Sequence, residues 1–156
     1  MNRFSLSFPG LPANVSFARA TVAAFAAQVD QFTLEDLEDI RIAVSEAVSN
    51  AVIHAYPQSV GPVEVEVALF PDRLEIKVVD HGRGIPDVEQ AKTPTFTTLP
   101  GERMGLGLTF VQTYMDEVTI SSRPGMGTTV WMVKKLPGTL ANGGGGIGTA
   151  VGRPAP

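Results

Sequence analysis

The spacing of apolar positions switches repeatedly between two residues and about 3.6 along this chain, and each switch marks an element. Phe4, Leu6 and Phe8 alternate with Arg3, Ser5 and Ser7, which predicts a half-buried strand stopped by Pro9-Gly10. Val15, Ala18, Val22, Phe25, Ala26 and Val29 follow helical spacing, with Asn14 or Ser16 placed to cap the helix. Thr33-Leu34-Glu35-Asp36 has the form of a capping box opening a long second helix. Its apolar stripe is Leu37, Ile40, Val44, Ala47, Val48 and Ala51, and Pro57 ends it. Val63, Val65 and Val67 alternate with Glu64 and Glu66, and Pro71-Asp72 then turns the chain. Leu74, Ile76 and Val78 alternate on the return, so residues 62–80 predict a hairpin.

Residues 81–104 carry Gly, Pro and Thr without a sustained period, which predicts the kind of long loop that compact domains keep for function. A third helix is expected from about Gly105 to Met115, then strands around 117–122 and 128–135 joined by Pro124-Gly125. This order predicts a two-layer α/β sandwich, with a mixed, mostly antiparallel sheet and helices on one face. From Pro137 onward the composition changes, and Gly143 to Gly146 and Pro154 to Pro156 offer nothing to bury. The expected division is a folded domain over 1–136 and a disordered Gly/Pro-rich tail over 137–156.

Composition narrows the field. A length of 156 residues, with 44% hydrophobic and 18% charged, suits a single globular core. Twelve basic against 16 acidic residues, a formal charge of -4, argues against the phosphate backbone of a nucleic acid as partner. The absence of cysteine excludes disulfides and thiolate metal sites. Arg3 is followed by no apolar leader and no run approaches a membrane span, so a cytoplasmic location without membrane contact is expected.

The chemistry lies in three short motifs. Glu46, Asn50 and His54 recur every four residues and interrupt an otherwise apolar helix with one polar stripe. A solvated face accounts equally well for such a stripe taken alone. The functional alternative makes Asn50 a hard oxygen ligand for Mg²⁺, and Glu46 the group that orients or deprotonates an attacking hydroxyl or water. His54 is then a packing or capping residue at the helix end.

Asp80 ends a strand, where an ionised carboxylate can accept from the exocyclic amino group of adenine; the O6 of guanine cannot satisfy it. Gly82 and Gly84 permit positive φ and close approach of backbone to the base. An ordinary Asp-x-Gly hairpin turn is the plain alternative, weakened because no matching strand follows Gly84. Gly105 and Gly107 open the third helix, where unpaired N–H groups and the helix dipole favour phosphate. Arg103, just upstream, can reach a terminal phosphate, and Thr128 can bond the adenine-side acid through water. No G-x-x-x-x-G-K-[ST] occurs, which excludes a P-loop, and the full dinucleotide glycine fingerprint is missing.

Together these motifs resemble the Bergerat-type ATP site of gyrase and the histidine kinases. The resemblance sharpens at Ser16-Phe17-Ala18-Arg19, at Val44 to Ala51, at Pro94-Thr95-Phe96-Thr97-Thr98, at Glu102-Arg103-Met104-Gly105 and at Met126-Gly127-Thr128-Thr129. All are similar to the anti-sigma F factors of endospore-forming bacteria, over residues 3–136. That resemblance implies a small serine/threonine kinase that uses ATP and Mg²⁺ and acts as a homodimer. It implies sequestration of a sporulation sigma factor and phosphorylation of a serine on a STAS-domain anti-anti-sigma factor. It further implies Glu46 as catalytic base, Asn50 as magnesium ligand, Asp80 as adenine acid and Arg103 as the γ-phosphate arginine. Thr97, Thr98, Gly82, Gly84, Gly105, Gly107 and Thr128 fall among the nucleotide contacts, and Arg19 becomes an exposed partner contact. Met104 departs from the small or polar residue more often found there. Anti-sigma B kinases of the stress response are the neighbouring resemblance, and a sigma-binding module without kinase turnover is the alternative function.

Overall fold

The computed structural model describes residues 1–84 and 104–138, and among residues 104–109 only the side chain of Leu108. Strand β1 (Asn2–Pro9) leads into helices α1 (Ala13–Ala26) and α2 (Leu34–Asn50), the second followed by one π-helical turn over Ala51–Ala55. Then come β2 (Pro62–Leu69), β3 (Arg73–Asp80), α3 (Met104–Tyr114), β4 (Glu117–Arg123) and β5 (Gly127–Lys135).

The five strands form one sheet in the order β1-β2-β3-β5-β4. Every neighbouring pair is antiparallel, so the expected mixed sheet has no parallel pair among the described residues. The connections explain why. The crossover through α3 carries β4 past the position beside β3, and β5 returns antiparallel into the gap it leaves.

Alternation decides the faces. Val63, Val65, Val67, Leu74, Ile76, Val78, Val130 and Met132 are buried with Ile40, Ala43, Val44, Ala47 and Val48 of α2 in one core. Each large member contributes roughly 1.5–3 kcal/mol of burial free energy. The other face carries Glu64, Glu66, Glu75 and Lys77, and its longest apolar body, Trp131, donates its indole N–H to Glu75 at 3.3 Å. One helical layer therefore covers the sheet.

Local signals act largely as the sequence predicts, with two corrections. Thr33 and Asp36 complete the capping box, each side chain accepting from the other's backbone N–H at 3.0 and 2.9 Å. Neither Asn14 nor Ser16 caps α1; Pro12 opens it without any side-chain cap, its ring holding φ in the helical range. Asn14 sits inside the first turn and donates to the Pro9 carbonyl at 2.9 Å. The second helix ends in a π-helical turn instead of running straight to Pro57. Finally, Lys134 fastens the layers together, its ammonium 3.1 Å from Asp39 of α2 and 3.0 Å from the Tyr114 carbonyl that ends α3.

Candidate functional site

A recess opens between α2 and the sheet, lined by Ala47, Asn50, Ala51, His54, Ala55, Val78, Asp80, Gly84, Leu108, Thr128 and Val130. Ala47 on α2 and Ala51 and Ala55 on the π-helical turn make the space, because larger side chains at these positions would fill it. Its innermost part has about 20 Å³, the room of one water. Asn50 and His54 stay on one wall, as their spacing predicts, and Asp80 faces them from β3.

Asp80 ends β3 on the core-facing phase, 7% exposed. Its carboxylate accepts from the Gly82 N–H at 2.9 Å. Burial raises its pKa above the ordinary value; the N–H groups of Gly82 and Thr128 and the neighbouring His81 partly oppose that rise. The result is a desolvated carboxyl that still has acceptor capacity toward the recess.

The glycines around it serve the fold before any ligand. A Cβ on Gly82 would collide with the Ala55 carbonyl, and one on Gly84 with the Arg123 carbonyl. Only Gly84 of this pair has positive φ, at +78°. Gly82 is thus required by close packing of the β3 exit on the π-helical turn, where the Arg83 N–H donates to Ala55 at 2.8 Å, and not by a positive φ. On β5, Gly127 at φ +88° would place a Cβ into the Asp80 backbone. Three chain segments interlock here through backbone alone.

The helix wall differs. Asn50 has a buried amide nitrogen with no hydrogen-bond partner. Since amide N and O are interchangeable by a flip, this is a polar group aimed into the recess with bonding capacity unspent. Glu46, one turn earlier, is half-buried but does not line the recess. The polar stripe is therefore divided, with Asn50 and His54 inside and Glu46 at its edge. Gly105 and Gly107 fall within the first turn of α3, not ahead of it; the Gly105 N–H is among those left unpaired by the helix, whereas Gly107, its fourth residue, already donates within it. Arg103, Thr97 and Thr98 lie outside the described residues.

Two residues of the site escaped the sequence reading. Tyr56 donates its hydroxyl to the Pro62 carbonyl at 2.8 Å and accepts from the His81 N–H at 2.9 Å, which fixes the exit of β3. Burial raises its pKa, with the charges of Asp80 and Glu64 adding to the rise, so the phenol keeps the proton it donates. Ser122 lies 2.8 Å from Thr128, hydroxyl to hydroxyl. The alternation of Val118, Ile120 and Ser122 along β4 was the available signal, since a serine occupies an apolar phase. Arg19 departs from expectation as well. It is half-buried rather than exposed, and donates to Ser45 Oγ on α2 at 3.1 Å.

Residues 8–134 match the histidine kinase-like ATPase domain. An anti-sigma F factor of Caldanaerobacter subterraneus subsp. tengcongensis is 48% identical over 136 residues, covering 86% of this chain and 94% of that protein. The chain belongs to the anti-sigma F factor family. A second member, from Pasteuria penetrans, is 49% identical over 138 residues, covering 86% of this chain and 91% of its own. Among solved structures, the RsbU and RsbW domains of a Mycobacterium tuberculosis protein superpose with a TM-score of 0.64 at 23% identity. That match covers 87% of this chain, which spans about a third (32%) of the mycobacterial chain, and it establishes the fold alone. The histidine kinase domain of a blue-light activated kinase from Erythrobacter litoralis gives a TM-score of 0.55 at 22% identity, over 80% of this chain and 60% of that one. Among the described residues, no helix is long and apolar enough to cross a membrane.

Proposed function

We propose that this chain is an ATP-dependent anti-sigma factor of the partner-switching type. It sequesters a sporulation sigma factor and phosphorylates a serine on a STAS-domain anti-anti-sigma factor, acting in the cytoplasm as a homodimer whose folded unit is residues 1–136. The observation that carries this reading is one recess with two complementary walls. A buried acceptor, Asp80, faces a buried amide with unspent hydrogen bonds, Asn50, in a chain whose relatives named anti-sigma F factor align over nearly their whole length.

Those residues fit a magnesium nucleotide. Asp80 and Thr128 accept from the base amino group, Asn50 offers its side-chain oxygen to Mg²⁺, and Gly84 keeps the rim open. Mg²⁺-ATP supplies the phosphoryl group and screens the charge of its transfer. Glu46 takes the proton from the serine hydroxyl as its oxygen bonds to phosphorus, and the bond to the departing ADP breaks. The unpaired N–H groups that open α3, Gly105 among them, hold phosphate charge with Arg103, Gly107 lets the phosphates approach the helix closely, and Thr97 and Thr98 add contacts. Arg19 serves the protein partners, held ready by Ser45 beside Glu46.

The test is incubation of the chain with labelled ATP and the STAS protein encoded beside it, read for phosphoserine. Label on the STAS protein, with sigma factor held by the chain in the presence of ATP and still held once the STAS protein is phosphorylated, is the expected result. Nucleotide and sigma-factor binding without label would make the chain a binding module and not a kinase.

A further inference from the structure

Asp80, Thr128 and Ser122 stand side by side across β3, β5 and β4, each the register partner of the next. Thr128 and Asp80 line the recess, while Ser122 stands behind Thr128. The two hydroxyls are 2.8 Å apart, and either could donate if they were alone. A third atom decides between them. Ser122 Oγ is also 3.1 Å from the Gly127 carbonyl, and a carbonyl only accepts. A hydroxyl has one hydrogen, so the Ser122 hydrogen goes to Gly127 and the short contact must take its hydrogen from Thr128. The Gly127 carbonyl cannot turn away, because Gly127 is wedged at φ +88° against the Asp80 backbone.

With its hydrogen committed to Ser122, Thr128 turns only lone pairs toward the recess. Its neighbour there is a carboxylate, also an acceptor when ionised. We infer that Ser122 sets the base selectivity of this site by fixing Thr128 as an acceptor. The strand wall then takes a purine carrying a 6-amino group and rejects one carrying a 6-oxo group, because an accept-only wall leaves the oxo oxygen without a donor. Ser122 is a positioning residue that acts through Thr128. The inference rests on the nucleotide reading above and specifies which base edge it reads.

The test compares Mg²⁺-ADP with Mg²⁺-IDP, whose hypoxanthine differs in donating nothing at position 6, by calorimetry on the full chain. The original chain prefers ADP. Ser122→Ala frees the Thr128 hydroxyl to rotate and donate, so the ADP-over-IDP ratio narrows by about three- to tenfold, the span of one hydrogen bond. Ser122→Thr keeps the hydroxyl and keeps the ratio. If Ser122→Ala melts below assay temperature, Ser122→Cys, a weaker donor of similar size, gives a smaller narrowing. Equal weakening of both nucleotides, or an unchanged ratio, overturns the inference and leaves the nucleotide site standing. Binding of neither nucleotide by the original chain overturns the site and the inference together.

Discussion

The strand wall and the helix wall of the recess are built on opposite principles. On the strand wall nearly every polar atom has its partner: Gly82 N–H on Asp80, Thr128 on Ser122, Ser122 on Gly127, His81 N–H on Tyr56. On the helix wall Asn50 keeps a buried amide nitrogen unpaired. No hydrogen bond or ion pair to Glu46 occurs among the described residues either. A saturated wall is rigid and can discriminate, because its donors and acceptors cannot rearrange to suit the wrong ligand. An unsaturated wall carries a desolvation cost that a ligand can relieve, so it suits groups that act only when something is bound. On the function proposed above, recognition falls to the strand wall and chemistry to the helix wall and its edge.

The widest expected break of this contrast is at Glu46. Glu46→Gln should slow phosphotransfer by about 10²–10⁴-fold, the range for loss of a general base, while nucleotide binding persists. Single-turnover rates with labelled ATP measure the first and calorimetry the second. A rate within a few-fold of the original would make Glu46 merely positional.

The interlock of the strand wall gives the next effect. Gly127→Ala puts a Cβ into the Asp80 backbone at positive φ, and should cost about 2–4 kcal/mol of stability in urea unfolding. Gly125→Ala is the control: its φ is +76°, but a Cβ there meets open space, so only the backbone penalty of about 1 kcal/mol is expected. Equal losses at the two positions would mean that conformation alone, not interlock, holds the wall.

Asp80→Asn sharpens the recognition side. Exchange of an acceptor oxygen for a donor amide should cost about 1.5–3 kcal/mol of nucleotide affinity, tenfold or more. The pH dependence follows from the raised pKa. A group whose pKa is raised on folding favours the protonated fold, so its contribution is present below the ordinary value of 3.8 and is lost as pH rises through the folded value. At neutral pH the empty Asp80→Asn variant should therefore unfold at higher denaturant than the original chain. Nucleotide binding runs the other way. It needs the ionised carboxylate, so affinity falls as pH drops, beginning at a higher pH than an ordinary aspartate would set. The variant lacks that acid limb, and an identical limb in both would assign it to another group.

Asn50→Ala should give the smallest change in stability. Removal of a buried amide with an unmet hydrogen bond leaves the empty protein as stable as before or slightly more so. Affinity for Mg²⁺-ATP should fall well beyond any change in affinity for nucleotide without the metal. A variant that loses stability and binds both forms equally would turn Asn50 into a packing residue.

Periodicity alone delivered the strands, the long helices and the core stripe, because burial of one face leaves its mark on every second or every third and fourth residue. The sequence also placed Asn50 and Asp80 correctly on their elements, since a polar residue in an apolar phase is visible without coordinates. Pairing could not be read that way. Whether β5 returns between β3 and β4 depends on where a crossover lands, and that choice made the sheet antiparallel throughout and brought Thr128 beside Asp80. Nor could the duties of the glycines be separated. Gly82 and Gly84 look alike in sequence, yet one is small for the Ala55 carbonyl and the other holds positive φ beside Arg123. Arg19 reads as a solvated helix residue until α2 brings Ser45 within reach. The physical reason is common to all three. Local pattern records how much of a residue is buried, whereas the direction of a hydrogen bond or the closeness of two backbones is set by a segment distant in the chain, which only the folded molecule brings near.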